Sequence, residues 1–188
     1  MKIRLLSGSI IGTKTQIAMK YALTKLIAQY PQEDIQLLDL KELNIEFSDG
    51  RNYLDYSNDT RYLTDELMAA DIILIGSPTF QASIPATLKN VFDLLPQNAF
   101  RNKVVGVLMT AGSSKHFLVA ETQLKPIISY MKGYMIPNYV FIEETDFDRG
   151  TIVSDDVLFR IDKLIEDTYL FFQSYQIVWQ KKEDSYDF

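Results

Sequence analysis

Ser9, Thr13 and Thr15 place three hydroxyl groups around one cation, Lys14, inside the stretch SGSIIGTKT from Ser7 to Thr15. An apolar run, Ile3 to Leu6, comes before it. A helical repeat of Met19, Leu23, Leu26, Ile27 and Tyr30 comes after, closed by Pro31. Strand, hydroxyl- and glycine-rich loop, then helix is an arrangement that binds phosphate, because the first N–H groups of a helix are unpaired and its dipole favours an anion. The stretch lacks G-x-G-x-x-G, and no Gly-Lys-Ser/Thr follows at Walker spacing. One lysine and three hydroxyls suit a single terminal phosphate held without a metal. A merely capped helix would account for the loop as well.

Two further loops carry the same kind of signal. Ile72 to Lys89 reads IILIGSPTFQASIPATLK. Its first four residues are apolar without alternation, as in a parallel strand covered on both faces. Pro78 cannot continue the ladder. Ser83 is the expected N-cap of a helix repeating Ile84, Leu88, Val91, Phe92 and Leu95, with Pro85 in its first turn. The third loop, Thr110-Ala111-Gly112-Ser113-Ser114, follows another buried run, Val104 to Met109. Polar loops at the carboxyl ends of such strands are where open α/β sheets bind ligands.

The elements that must position these loops alternate strand and helix. Ile35 to Leu40 reads as a strand near the sheet edge and Asn138 to Ile142 as the fifth strand. A helix is expected from about Lys115 to Met131, and a long one from Asp155 to about Lys181. The fold class expected is α/β: a doubly wound, five-stranded parallel sheet in the order 2-1-3-4-5, switching between strands one and three. Residues 1–180 are read as a single domain and 181–188 as a tail. Three loops then meet in one crevice, which suits a mononucleotide with a flat ring, FMN above all. Tyr53, Tyr56 and Tyr62 either line its mouth or pack a loop onto the body.

With 188 residues, 47% hydrophobic, the chain can bury a full core. A net charge of −6 argues against a nucleic-acid partner and against an anionic membrane surface. No cysteine and one histidine, His116, exclude thiolate chemistry and multi-histidine metal sites. No apolar run suggests a membrane span or a signal peptide, so a cytoplasmic protein is expected.

SGS at Ser7–Ser9, SPTFQASIPATLKNVFDLLP at Ser77–Pro96 and KVVGVLMTAGSSKHFLVAETQLKPII at Lys103–Ile128 resemble the NAD(P)H-dependent FMN reductases of flavodoxin-like fold. The likeness extends to reductases serving sulfonate-degrading monooxygenases and to azoreductases. It implies that Ser9, Ile11, Thr13, Lys14 and Thr15 hold the FMN phosphate, with Lys14 standing in for the arginine common there. It implies that Pro78, Thr79, Phe80 and Gln81 hold one edge of the isoalloxazine, and Ala111, Gly112 and Ser113 the pyrimidine end. His116 matches a histidine near the ring. No catalytic side chain is implied, because the flavin carries the chemistry. The reaction implied is hydride transfer from NADPH or NADH to FMN, then electron delivery to a flavin, quinone, azo dye or partner monooxygenase, by a homodimer or homotetramer. A flavodoxin-type one-electron carrier and a non-catalytic nucleotide-binding protein are the alternatives. For the dimer contact, the face carrying Leu94 and the helix with Phe117 and Leu118 are the candidates.

Pro126 leaves the Thr122 carbonyl without its ordinary helical partner, which predicts a kink or π-bulge over Thr122–Pro126. In the sulfonate-type reductases a tyrosine matches Thr122 and stacks across a subunit interface. Its absence here points toward flavin kept as a bound group.

Overall fold

The computed structural model describes residues 1–184. Four full strands run parallel: β1 (Lys2–Ser7), β2 (Asp34–Asp39), β3 (Ile72–Pro78) and β4 (Val104–Ala111). Their order is β2-β1-β3-β4, and the fifth position beside β4 completes the expected 2-1-3-4-5 sheet. That position is filled by two short pieces. β5 (Tyr134–Met135) pairs with Val104 and Val105; β6 (Val140–Glu143) pairs with Leu108 to Ala111. The interval between them contains Pro137, which has no N–H to give to a ladder. The fifth strand is therefore split where the sequence suggested one run from Asn138.

Helices α1 (Lys14–Gln29) and α5 (Asp155–Asp184) cover one face of the sheet. Helices α2 (Asn58–Ala69), α3 (Ala86–Leu94) and α4 (Lys125–Tyr130) cover the other. The four apolar residues that open β3 divide between the faces. Ile72 and Leu74 pack with Met19 and Leu164, whereas Ile73 and Ile75 pack with Leu63 and Leu88. Two covered faces explain why the strand does not alternate. Helix α5 continues to Asp184, so the expected tail is helical as far as that residue, and residues 185–188 lie outside the described residues. No helix among the described residues is long and apolar enough to cross a membrane.

Two helix starts differ from the expected ones. Ser83 caps nothing; α3 begins at Ala86 with Pro85 as its N-cap, because Ser83 closes a tight turn instead. The segment between β4 and α4 is also broken: a short 3-10 turn spans Ser114–His116, and a π turn spans Ala120–Leu124 before α4 starts. The irregularity expected near Pro126 is present, one turn ahead of the proline.

What brings α1 to the sheet end is a bare spot on β3. A Cβ added at Gly76 would lie 2.4 Å from Met19 Sδ and 3.2 Å from Thr15 Cγ2. The absence of a side chain lets the first turns of α1 lie directly on the strand. We expect Gly76→Ala to lower stability by about 1–3 kcal/mol through overpacking, a fall of several degrees in a thermal melt. An unchanged melting temperature would mean that Met19 swings aside at no cost.

Candidate functional site

The loop from Gly8 to Thr13 joins β1 to α1. Its start is pinned to β3, since Gly8 N donates to Gly76 O at 2.8 Å. Gly12 turns the chain with φ of +81°, and Thr13 occupies the N-cap of α1. The Thr13 hydroxyl makes no capping bond, and no acidic residue lies in the first turn. The first turn of this helix thus supplies neither a side-chain cap nor a carboxylate of its own, and its free N–H groups and dipole favour an anion. Thr15 is buried and its hydroxyl pairs with that of Thr110 on β4 at 2.7 Å. This bond spans β3 and ties the first loop to the third.

At the end of β3, Thr79 N donates to Thr110 O at 2.8 Å, extending the ladder one residue past Pro78. The chain then reverses. Phe80 and Ser83 exchange both backbone hydrogen bonds, each 2.9 Å, around Gln81 and Ala82. Those two residues have φ of +48° and +58°. This is a two-residue hairpin turn of the mirror-image kind, normally built from Asn and Gly. Each side chain here costs about 1–2 kcal/mol in that conformation. The Ser83 hydroxyl donates to Gln123 Oε1 at 3.1 Å, so the strained turn is braced against the π turn. The Thr79 hydroxyl is buried and has no hydrogen-bond partner.

At the end of β4, Ala111 pairs with Glu143, and Glu144 follows at the start of a 3-10 turn to Asp146. Lys14 and Glu144 form an ion pair across the mouth. The Lys14 ammonium, first by its hydrogen bond and then by its charge, holds the Glu144 carboxyl below the ordinary carboxylate range. Together the three loops and Glu144 enclose a cleft of about 300 Å³. Its walls are Ile11 to Thr15, Pro78 to Phe80, Thr110 to Gly112, and Glu144.

Nine of the twelve residues singled out in the sequence line this cleft: Ile11, Thr13, Lys14, Thr15, Pro78, Thr79, Phe80, Ala111 and Gly112. Ser9, Gln81 and Ser113 are not in its wall. The Ser9 hydroxyl turns back to Ile11 O at 2.5 Å, Gln81 forms the exposed tip of the turn, and the Ser113 hydroxyl accepts from Lys115 N at 3.3 Å. His116 lies outside it as well. Tyr53, Tyr56 and Tyr62 are not in the cleft wall either. Tyr56 is buried with its hydroxyl on Asp49 at 2.9 Å, and Tyr62 meets Gln36. Leu94 is only 3% exposed and is spent inside the subunit, whereas Phe117 and Leu118 are 51% and 60% exposed. Gly12, Thr110 and Glu144 also line the cleft and were not among the twelve. Thr110 could be found from the strand-end rule, but Glu144 reaches the cleft only through the register of β6.

Residues 1–147 match the protein family described as NADPH-dependent FMN reductase. The chain is 39% identical over 165 residues to a protein of Geobacillus thermodenitrificans (strain NG80-2) named NAD(P)H-dependent FAD/FMN reductase, covering 87% of this chain and 89% of that one. It is 27% identical over 179 residues to an FMN-dependent NADPH-azoreductase of Staphylococcus haemolyticus (strain JCSC1435), covering 86% and 88%. Among solved structures, an apo NADH:FMN oxidoreductase (EMOB) superposes with a TM-score of 0.76 at 26% identity, covering 90% of this chain and 88% of that one.

The turn at Gln81–Ala82 stores conformational energy that glycine would release. Ala82→Gly should stabilise the protein by roughly 0.5–1 kcal/mol, a rise of about 1–4 °C in melting temperature. A lower melting temperature would show that the Ala82 methyl group makes packing contacts worth more than the strain.

Proposed function

The chain belongs to the NADPH-dependent FMN reductase family, matched over residues 1–147, and from that premise we propose how its cleft receives the flavin. The protein is an NAD(P)H-dependent FMN reductase, an oxidoreductase acting on small-molecule acceptors. Neither the one-electron carrier nor the flavin-free binding protein is favoured beside relatives that are reductases. In our reading FMN lies with its phosphate at the N-terminus of α1 and its ring between the Pro78–Gln81 and Ala111–Ser113 loops.

The observation that supports this most is the donor set. The α1 terminus has no side-chain cap and no acid in its first turn, Lys14 is the only cation in the wall, and the buried Thr79 hydroxyl has no partner. A phosphate at one end and a hydrogen-bonding ring edge at the other would use all three. The Ser9 and Thr15 hydroxyls are committed to Ile11 O and Thr110, so the phosphate would rest on the backbone N–H groups of Thr13 to Thr15, the Thr13 hydroxyl and Lys14. When bound, the flavin supplies the hydride chemistry itself. The chain's part is to orient and to exclude water. Phe80 and Ile11 form apolar edges to the mouth, and Gly112 keeps the opposite wall open, with nothing nearer a Cβ there than Glu144 Oε2 at 3.8 Å.

A purified preparation should oxidise NADPH or NADH when micromolar FMN is supplied. Lys14→Gln should weaken FMN about tenfold and leave riboflavin, which has no phosphate, unchanged. No flavin-dependent oxidation would defeat the reductase reading; equal weakening of both flavins would move the phosphate elsewhere.

We place the protein in the cytoplasm, where NAD(P)H is available, and count a flavin-dependent monooxygenase among its recipients of reduced flavin. We further read it as a homo-oligomer. An apolar groove of about 510 Å³ runs between α3 and α4, with Phe92, Pro96, Ile127 and Tyr130 in its wall. Light scattering should give at least twice the mass of the 21.7 kDa chain; a strictly monomeric species would refute it.

A further inference from the structure

Glu144 is an odd residue to find at the edge of an anion site. Its backbone is fixed. Glu143 N donates to Asp146 Oδ2 at 2.8 Å in a capping box, and Val153 N donates to Asp146 O at 2.8 Å from the β7 (Phe147–Asp148) and β8 (Thr151–Ile152) hairpin. Pairing of Glu143 with Ala111 sets the height of this turn against the cleft wall. Only the side chain is free to move, and its carboxylate lies over Gly112 and on Lys14. Lys14 is anchored too, at the first residue of α1 and 6.0 Å from the Phe147 ring centroid. The cleft wall therefore carries one cation and one carboxylate, a net charge of zero.

We propose that Glu144 competes with the flavin phosphate for Lys14 and so sets how strongly this chain prefers FMN over flavins without a terminal phosphate. The inference rests on the phosphate position argued above. A phosphate monoester carries close to two negative charges at neutral pH. To reach Lys14 it displaces the Glu144 carboxylate or sits beside it. Either course raises the free energy of the FMN complex, by a lost ion pair or by like-charge repulsion. Riboflavin brings no charge to this end of the cleft and leaves the Lys14–Glu144 pair intact. Glu144 thus acts as a specificity residue with a defined sign: it narrows the gap between FMN and riboflavin. This pulls against the retention expected from Thr122.

The test is binding, measured by quenching of flavin fluorescence with the full chain. Wild type should bind FMN more tightly than riboflavin. Glu144→Gln should tighten FMN about two- to fivefold and leave riboflavin affinity essentially as it is in the wild type. Glu144→Lys should tighten FMN further. FMN affinity unchanged or weakened in both variants would overturn the proposal and make Glu144 a residue that merely orients Lys14. Equal affinities for FMN and riboflavin in wild type and in Glu144→Gln alike would instead remove the phosphate site itself, and this inference with it.

Discussion

The site depends on how closely one helix can approach one strand. Helix α1 lies on β3 at a residue without a side chain, and the contact places Met19 and Thr15 against Gly76. From that seat the Thr15 hydroxyl reaches across β3 to Thr110, and the open end of the helix faces the mouth of the crevice. Three loops from different parts of the chain are fixed relative to one another by this packing and by two backbone bonds, Gly8 N to Gly76 O and Thr79 N to Thr110 O. A looser helix would carry its dipole away from the ligand, and the field of a helix end falls off within about one turn. Tight packing here is therefore an electrostatic requirement as well as a steric one.

Against this rigid frame, the loop after β3 holds strain. Two consecutive non-glycine residues in the left-handed region are sustained by reciprocal backbone bonds at the neck of the turn and by Ser83 reaching Gln123. The arrangement fixes the direction in which Thr79 and Phe80 present themselves. It also explains the unpartnered Thr79 hydroxyl: a buried donor without an acceptor is costly in the free protein and becomes favourable when a ligand supplies one. Strain and unmet hydrogen bonding lie within four residues of each other, at the wall of the cleft.

Much of the frame could be read from residue types. The unbroken apolar runs of β3 and β4 announced strands covered on both faces, and the pattern at Ser7–Thr15 announced a strand, loop and helix start, which in the fold lines the cleft. Other features were hidden for identifiable reasons. Phe80-Gln81-Ala82-Ser83 has none of the Asn-Gly chemistry that signals a mirror-image turn, so Ser83 looked like a helix cap. Pro137 splits the fifth strand, yet the apolar residues on either side suggested a single run. Leu94 looked available for a partner because helical periodicity cannot tell which of two apolar flanks faces the sheet; burial assigns it to the subunit's own core. Glu144 carries no local signal. It reaches the cleft through the pairing of Ala111 with Glu143, a contact between residues 32 apart in the chain.

The π turn over Ala120–Leu124 has an evolutionary side. Such a turn holds one residue more than a regular helical lead into α4 would need. Loss of one residue there would let the segment relax into regular helix, and everything on its upstream side would rotate by about 100° around the axis relative to α4. Loss of Gln123 or Leu124 would part this position from Ser83, and the brace on the strained turn would go with it. Length itself is thus under constraint in this segment, although none of its five residues lines the cleft.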